Sequence, residues 1–310
     1  MNPRILVIST ILLWTLGGTL LKVISSSNTF TIMSIGLLAS TIFFYIILQR
    51  AGGFDWSKLT FKNVMFSLLG YFFYWLFFLL CIEYYEGQVS VPLVLNYTWP
   101  FFTGLFTILL YKREGFGMRF ALSAILGMIG VIVLFSKGDI ASLELGRSVL
   151  GLIFGLLTGI SYGMFSAFSS TIKTEQENLQ FLFVGTFLSG FLLLGVSYYK
   201  YGPSTFDLSW LDWTIAFVDG LILDSLGYYM WTKANRRAAE LQLEISSLTS
   251  IVNFLPILSL LLVSLVFVDE RAEIFTAYFV VALVLVFLSS YIGNRSVREK
   301  EPEVVAETIE

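Results

Sequence analysis

Apolar stretches of about twenty residues recur from one end of this chain to the other, each closed by a short charged or turn-rich break. A helix of that length crosses the hydrocarbon core of a bilayer, and there the backbone must satisfy its polar groups internally. Charged residues make up 13% of the sequence, about half the share of an ordinary soluble domain. The mean hydropathy is +0.81. The pattern predicts an all-α integral membrane protein with spans over 5–25, 29–49, 63–84, 88–111, 118–136, 148–171, 179–199, 211–232, 242–267 and 273–293. The opening MNPRILVISTILLW lacks a small-residue cleavage pattern and reads as the first span, not a removed signal. Breaks such as QRAGGFDWSKLTFK, YKREGFGMR and KANRRAAE are too short to house a soluble domain.

The basic residues predict an orientation. With the N-terminus inside, only Lys22, Lys137, Arg147, Lys200 and Arg271 of the 19 Lys and Arg fall in outer segments. The positive-inside rule then puts both termini in the cytoplasm, with the protein in the inner (cytoplasmic) membrane. A repeat is legible as well. Trp75, Pro100 and Glu114 recur as Trp231, Pro256 and Glu270, each pair offset by 156 residues. Five spans per copy is an odd number, so the second copy must lie upside down. The expected architecture is ten transmembrane helices as two inverted five-helix repeats, 1–146 and 147–294, around a central cavity, with a charged cytoplasmic tail over 295–310. Inverted repeats of this kind build secondary transporters whose site lies at the repeat interface near the midplane.

Polar and ring-bearing residues at mid-depth nominate that site. In VLNYTWPFFTG, Asn96 to Trp99 lie about 12–17 Å deep at 1.5 Å per residue. Pro100 has no N–H to give the carbonyl of Asn96. Pro92, Asn96, Trp99 and Thr103 share one helical face. Pro256 repeats the arrangement beside Asn253, with Ser246, Ser250 and Asn253 on one stripe. Two readings stand: cavity lining with Pro100 and Pro256 as hinges, or kinks and interhelical hydrogen bonds made for packing. In FVDGLILDSLGYYMWTKA, Asp224, Tyr228 and Trp231 form one stripe. A carboxylate at that depth costs about 2.5–3.5 kcal/mol on insertion scales and usually faces a bundle interior. Asp224 therefore meets a substrate or a coupling proton, or makes a structural hydrogen bond. Asp219 lies about 140° around the helix from Asp224 at 100° per residue, so the two need not share a site. Trp14, Tyr97, Trp99 and Tyr162 can wall an aromatic pocket for a ring or an ammonium; the alternative is lipid-facing or packing aromatics. Tyr162, Ser166 and Ser169 form a further stripe.

Absences narrow the chemistry. The single Cys81 excludes an internal disulfide and a cysteine-built metal site. The chain has no histidine, no Walker loop and no His-Glu metal box. No enzyme activity, cofactor or metal is expected, and no nucleic-acid partner. No Lys or Arg falls at mid-depth to clamp a phosphate, which leaves neutral zwitterions and organic cations.

The motifs LLWTLGG, NYTWPFFTGLFTILLYKRE and NFLPILSLLLVSLVFVDE resemble the drug/metabolite transporter superfamily of the EamA type, nearly throughout the chain. LNYTWP and GYYMWTKA are similar to the YddG-like exporters of aromatic and other neutral amino acids. The basic pair Lys112-Arg113 before Glu114, and Asp219 and Asp224, depart from the family pattern. The resemblance implies a secondary transporter exporting aromatic, hydrophobic or other neutral amino acids by alternating access. It implies a central cavity among helices 1, 3, 4, 6, 8 and 9, and the mid-depth residues nominate Trp14, Asn96, Tyr97, Trp99, Tyr162, Ser166, Asp224, Tyr228 and Asn253 as its substrate site. The alternative is a proton-coupled exporter of organic cations, amines or drugs, with Asp224 as counter-charge. Expected partners are a small-molecule amino acid or amine and the lipid bilayer; a monomer is plausible.

Overall fold

The computed structural model describes residues 2–21, 28–86, 90–111, 117–267 and 276–295, and every regular element among them is helical. Seven helical stretches are long and apolar enough to cross a membrane: Thr29–Arg50, Phe61–Tyr84, Met118–Phe135, Val149–Ser169, Glu175–Phe206, Ile245–Val266 and Ala277–Asn294. The chain is a multi-pass membrane protein by these stretches. The other expected spans, 5–25, 88–111 and 211–232, overlap helices that fall short of that measure. Helix α1 (Pro3–Leu21) has its apolar part over Pro3–Gly17. Helices α5 (Ser90–Asn96) and α6 (Trp99–Leu109) are separate pieces. The third, α10 (Trp210–Val218), a π turn (Asp219–Asp224) and α11 (Ser225–Glu240), is diluted by two aspartates and a basic end. Glu114, Glu270, Lys22, Lys112, Arg113 and Arg271 lie outside the described residues.

The surface has the character expected of lipid contact. Helix α1 turns Ile5, Ile8, Leu12 and Leu16 outward while Thr10 and Thr15 are buried. In water such a face would be a binding or aggregation surface; in hydrocarbon it costs nothing. The interior holds the small polar residues that let helices approach closely and bond across their seams. Helix α2 (Thr29–Arg50) meets α9 (Glu175–Tyr201) through Ser34 Oγ donating to the Gly190 carbonyl at 2.7 Å and Thr41 Oγ1 donating to Thr186 at 3.1 Å. Helix α7 (Met118–Phe135) and α14 (Ala277–Arg295) exchange a reciprocal pair. Ser123 Oγ donates to the Ser289 carbonyl at 2.8 Å and Ser289 Oγ to the Ser123 carbonyl at 2.7 Å.

Several helix starts follow from capping side chains. Ser148 accepts from the Gly151 amide at 3.0 Å ahead of α8 (Val149–Ser169). Thr174 accepts from Glu177 at 3.1 Å, so α9 begins at Glu175, earlier than apolarity alone predicts. Each such cap contributes about 1 kcal/mol. Charge marks the two ends of α9. At its start Glu175 binds Lys233 at 3.0 Å, Arg236 and the Tyr229 hydroxyl, all on α11. At its far end Lys200 pairs with Glu83.

Four irregularities interrupt the rods, and they come in two kinds. The segment Phe61–Tyr84 is α3 (Phe61–Leu68), a π turn (Leu69–Phe73) and α4 (Tyr74–Tyr84); a second π turn is Asp219–Asp224. The other kind is a two-residue break before a proline. Tyr97 and Thr98 separate α5 from α6, whose second residue is Pro100. Asn253 and Phe254 separate α12 (Ile245–Val252) from α13 (Leu255–Val266), whose second residue is Pro256. The bonding through the two breaks matches. Thr98 donates to Leu95 at 3.1 Å and Phe102 to Thr98 at 3.1 Å; Phe254 donates to Ile251 at 3.2 Å and Leu258 to Phe254 at 2.9 Å. Every one of these pairs is related by the same offset of 156 residues.

At the second π turn, Gly220 lies directly on the backbone of Gly36 in α2, where an added Cβ would meet main-chain atoms that cannot move aside. Gly220→Val should therefore part α2 from the turn and destabilise the protein by about 1–3 kcal/mol or more. Gly195→Ala, where nothing lies within 4 Å, should be near neutral. Thermal unfolding in detergent, followed by fluorescence of fully loaded samples, checks the contrast.

Candidate functional site

Helices α1, α4, α6, α8 and α11 converge on a cluster of aromatic rings. Trp99 lies 4.8 Å from Tyr162 and 5.2 Å from Trp231 between ring centroids, both edge to face. Trp14 lies 5.7 Å from Tyr228 and 6.2 Å from both Trp99 and Tyr162. Edge-to-face pairs at such separations each add about 0.5–1.5 kcal/mol beyond their area. Trp14 reaches the cluster because Gly227 on α11 leaves its indole room; a Cβ there would come within 2.8 Å of Cδ1. Ser166 joins through the Trp231 indole, whose Nε1 donates to Ser166 Oγ at 2.8 Å. Asn235 adds bonds to the Ser166 carbonyl at 3.2 Å and to Ser169 Oγ at 3.0 Å. Trp14, Trp99, Tyr162, Ser166, Tyr228 and Trp231 thus come together from both halves of the sequence.

Asn96 stands at the edge of this cluster, in hydrogen-bonding contact with Tyr74, whose ring is 5.1 Å from Tyr162. The first π turn supplies Tyr71, stacked on Tyr228 at 4.5 Å. Tyr71 and Tyr74 were not singled out from the sequence. The usable signal was their facing of Tyr228 and Tyr162 across the bundle, which no spacing within one helix reveals. Within the described residues, the hydroxyls of Tyr71 and Tyr162, Asn96 Oδ1 and Trp75 Nε1 are buried without hydrogen-bond partners. Leaving such a group unsatisfied costs about 1–3 kcal/mol.

Two further nominated residues lie elsewhere. Tyr97 turns away from Trp99 and stacks on Phe135 of α7 at 6.0 Å. It lines a narrow crevice with Pro100, Ser123, Ser246, Ser250 and Asn253. Asn253 donates to Ser289 Oγ at 3.0 Å, the interhelical bond of the packing reading. The Ser246–Ser250–Asn253 stripe therefore faces α7 and α14. Pro256 is buried at the start of α13. The residues expected around one chamber are thus divided between the ring cluster and this crevice.

Asp224 occupies a third position. It lines a narrow crevice with Asp219, Trp75 and α2. A regular helix would have set the two aspartates on different sides. The π turn closes i to i+5 and brings both to the same crevice. Asp219 is 5% exposed, and its Oδ1 packs over Gly17 of α1 with no partner among the described residues. Lys233 and Arg236, the basic residues of α11 nearest in sequence to Asp224 besides Arg237, are engaged by Glu175.

No family model matches the sequence, and no curated protein matches it either. Among solved structures, one described only as "Crystal structure of protein" superposes with a TM-score of 0.77 over 97% of this chain and 98% of its own, at 16% identity. At that identity the likeness is one of fold.

Trp231→Phe keeps a ring in the cluster and removes the donor to Ser166. Asn235 Nδ2 still donates to Ser166 Oγ at 3.3 Å, so the expected cost is about 0.5–1.5 kcal/mol, the net worth of one hydrogen bond, read as a lower unfolding temperature. Ser166→Ala in the same background should cost less than it does alone, a coupling that a double-mutant cycle isolates.

Proposed function

We propose that this chain is a secondary transporter that exports amino acids, aromatic, hydrophobic or otherwise neutral, across the cytoplasmic membrane by alternating access. In this reading ten helices form two inverted five-helix repeats, both termini are cytoplasmic, and no chemistry is performed on the substrate. The observation that carries it is the pair of proline-entered breaks, hydrogen-bonded alike at an offset of 156 residues. Discontinuous helices in corresponding places of two halves are the mark of transporter sites. The two π turns fall in the third and eighth segments of the same scheme. The ring cluster, drawn from both halves, suits an apolar side chain, while Asn96 and the phenol hydroxyls offer bonds to an amino acid's polar groups. Alternation would part the Glu175 contacts at one end of α9 and the Lys200–Glu83 pair at the other in turn. Uptake of labelled Phe, Trp, Met and Thr into proteoliposomes tests the reading. Saturable flux of the aromatic substrates, reduced about tenfold or more by Trp99→Ala (the loss of roughly one 1.4 kcal/mol increment or more), is expected. No saturable flux for any of the four would remove it.

A second reading, export of organic cations or amines, is favoured by one observation. Asp219 and Asp224 share a crevice with no Lys or Arg lining it. Under that reading amine flux follows an imposed pH gradient and Asp224→Asn abolishes it; amino-acid flux that survives in Asp224→Asn speaks against it.

A further inference from the structure

Helix α11 carries two stripes that hold it to different helices. Tyr228, Trp231 and Asn235, spaced i, i+3, i+7, share one face. Tyr228 stacks on Tyr71 at 4.5 Å, while Trp231 and Asn235 donate to Ser166 and Ser169 of α8. Tyr229, Lys233 and Arg236, spaced i, i+4, i+7, share the adjoining face. All three meet one carboxylate, that of Glu175 in the first turn of α9. Lys233 Nζ also donates to the Tyr229 hydroxyl at 2.7 Å. The helix that shapes the ring cluster is thus fastened at its charged end through a single residue of another element.

The far end of α9 is held by less. There Lys200 pairs with Glu83, near the end of α4, and lies 4.8 Å over the Phe30 ring. The two side chains are 25% and 40% exposed, a setting in which water and salt leave an ion pair little strength. At the near end the Arg236 side chain is 9% exposed. Removing Glu175 there would leave two cations side by side, one of them shut away from water, which is far costlier than losing an exposed pair. Helices α4 and α11 each follow a π turn, so α9 fastens the end of both jointed segments, one strongly and one weakly. We propose that Glu175 is the latch that sets the resting conformation: α11 stays closed on α9 at that end, and the Lys200–Glu83 end is the readier to open. This rests on the transporter reading and adds to it which of the two gates is the barrier.

Thiol labelling of the detergent-purified full chain with a maleimide, without any amino acid present, tests the latch. Cys81, buried on α4 two residues before Glu83 and packed beside Gly155 of α8, reports on the Lys200 end. Ser169→Cys in a Cys81→Ala background reports on the other, since Ser169 is buried where α8 meets Asn235. Glu175→Gln should speed labelling at position 169 about tenfold or more, through a larger open population, and leave Cys81 no faster. Tyr229→Phe, which removes one of the three donors, should speed it about two- to threefold. Glu177→Gln takes the same charge from the same helical turn, but its carboxylate accepts from the Lys173 amide at 3.1 Å, and both rates should stay unchanged. Labelling at position 169 that is indifferent to Glu175→Gln would overturn the proposal. Should Glu175→Gln label at both positions alike, as an unfolded chain would, Tyr229→Phe decides, and no rise at position 169 in that variant overturns it. Labelling that follows Glu175 in a protein with no amino-acid flux would remove the transported substrates and leave the latch; flux with labelling indifferent to Glu175 would do the reverse.

Discussion

A polar group in hydrocarbon has no water to fall back on, and the rest of this structure is arranged around that constraint. Continuous helices meet it by bonding their own backbone. Serine and threonine meet it by returning their hydroxyls to a carbonyl three or four residues back, as Thr103 does to Trp99 at 2.9 Å, or by crossing a seam, as Ser34 does to Gly190. Where a proline removes an amide, as at Pro100 and Pro256, the break is turned inward and buried. The outward face can then be largely apolar, as it is along α1 with Ile5, Ile8, Leu12 and Leu16.

Against that economy, the places where the constraint is not met stand out. The unpartnered atoms include the phenols of Tyr71 and Tyr162, Asn96 Oδ1, Trp75 Nε1 and Asp219 Oδ1 near the rings and the acid crevice, and others in α9 and α14 such as Asn178, Ser189 Oγ and Asn294 Oδ1. A structure selected for packing alone would replace them with apolar residues of similar shape, since a buried polar group left unpaired is worse than none.

Much of this was legible in the sequence. Seven of the expected segments followed from apolar run length, because length is what a bilayer measures. The assembly of Trp14, Trp99, Tyr162, Ser166 and Tyr228 followed from depth and helical stripes. What escaped lay where the 100° wheel fails. Tyr97 precedes Trp99 by two residues across a break, so it faces α7 while Trp99 faces the rings. Asp219 and Asp224, opposed on a regular helix, converge across a π turn that no residue type announces. Asn253 shares the depth of Asn96 but sits beside Ser289, and depth alone carries no azimuth. Boundaries moved for a local reason as well: Thr174 caps α9 early, and the charged end of α11 continues past the apolar run to Glu240.

The irregularities also have a mechanical sense. A proline break and a π turn each lack bonds of the regular ladder, so each bends more readily than the rods on either side. The breaks beside Asn96 and Asn253 and the π turns holding Tyr71 and Asp224 fall within the segments that carry the ring cluster and the two crevices. Tyr71 of the first π turn stacks on Tyr228, just past the second, so the two joints bear on each other through these rings. Helices α2 and α9, joined by Ser34 and Thr41, have no such break between Thr29 and Arg50 or between Glu175 and Tyr201. They provide the stiff frame against which any such bending would be measured.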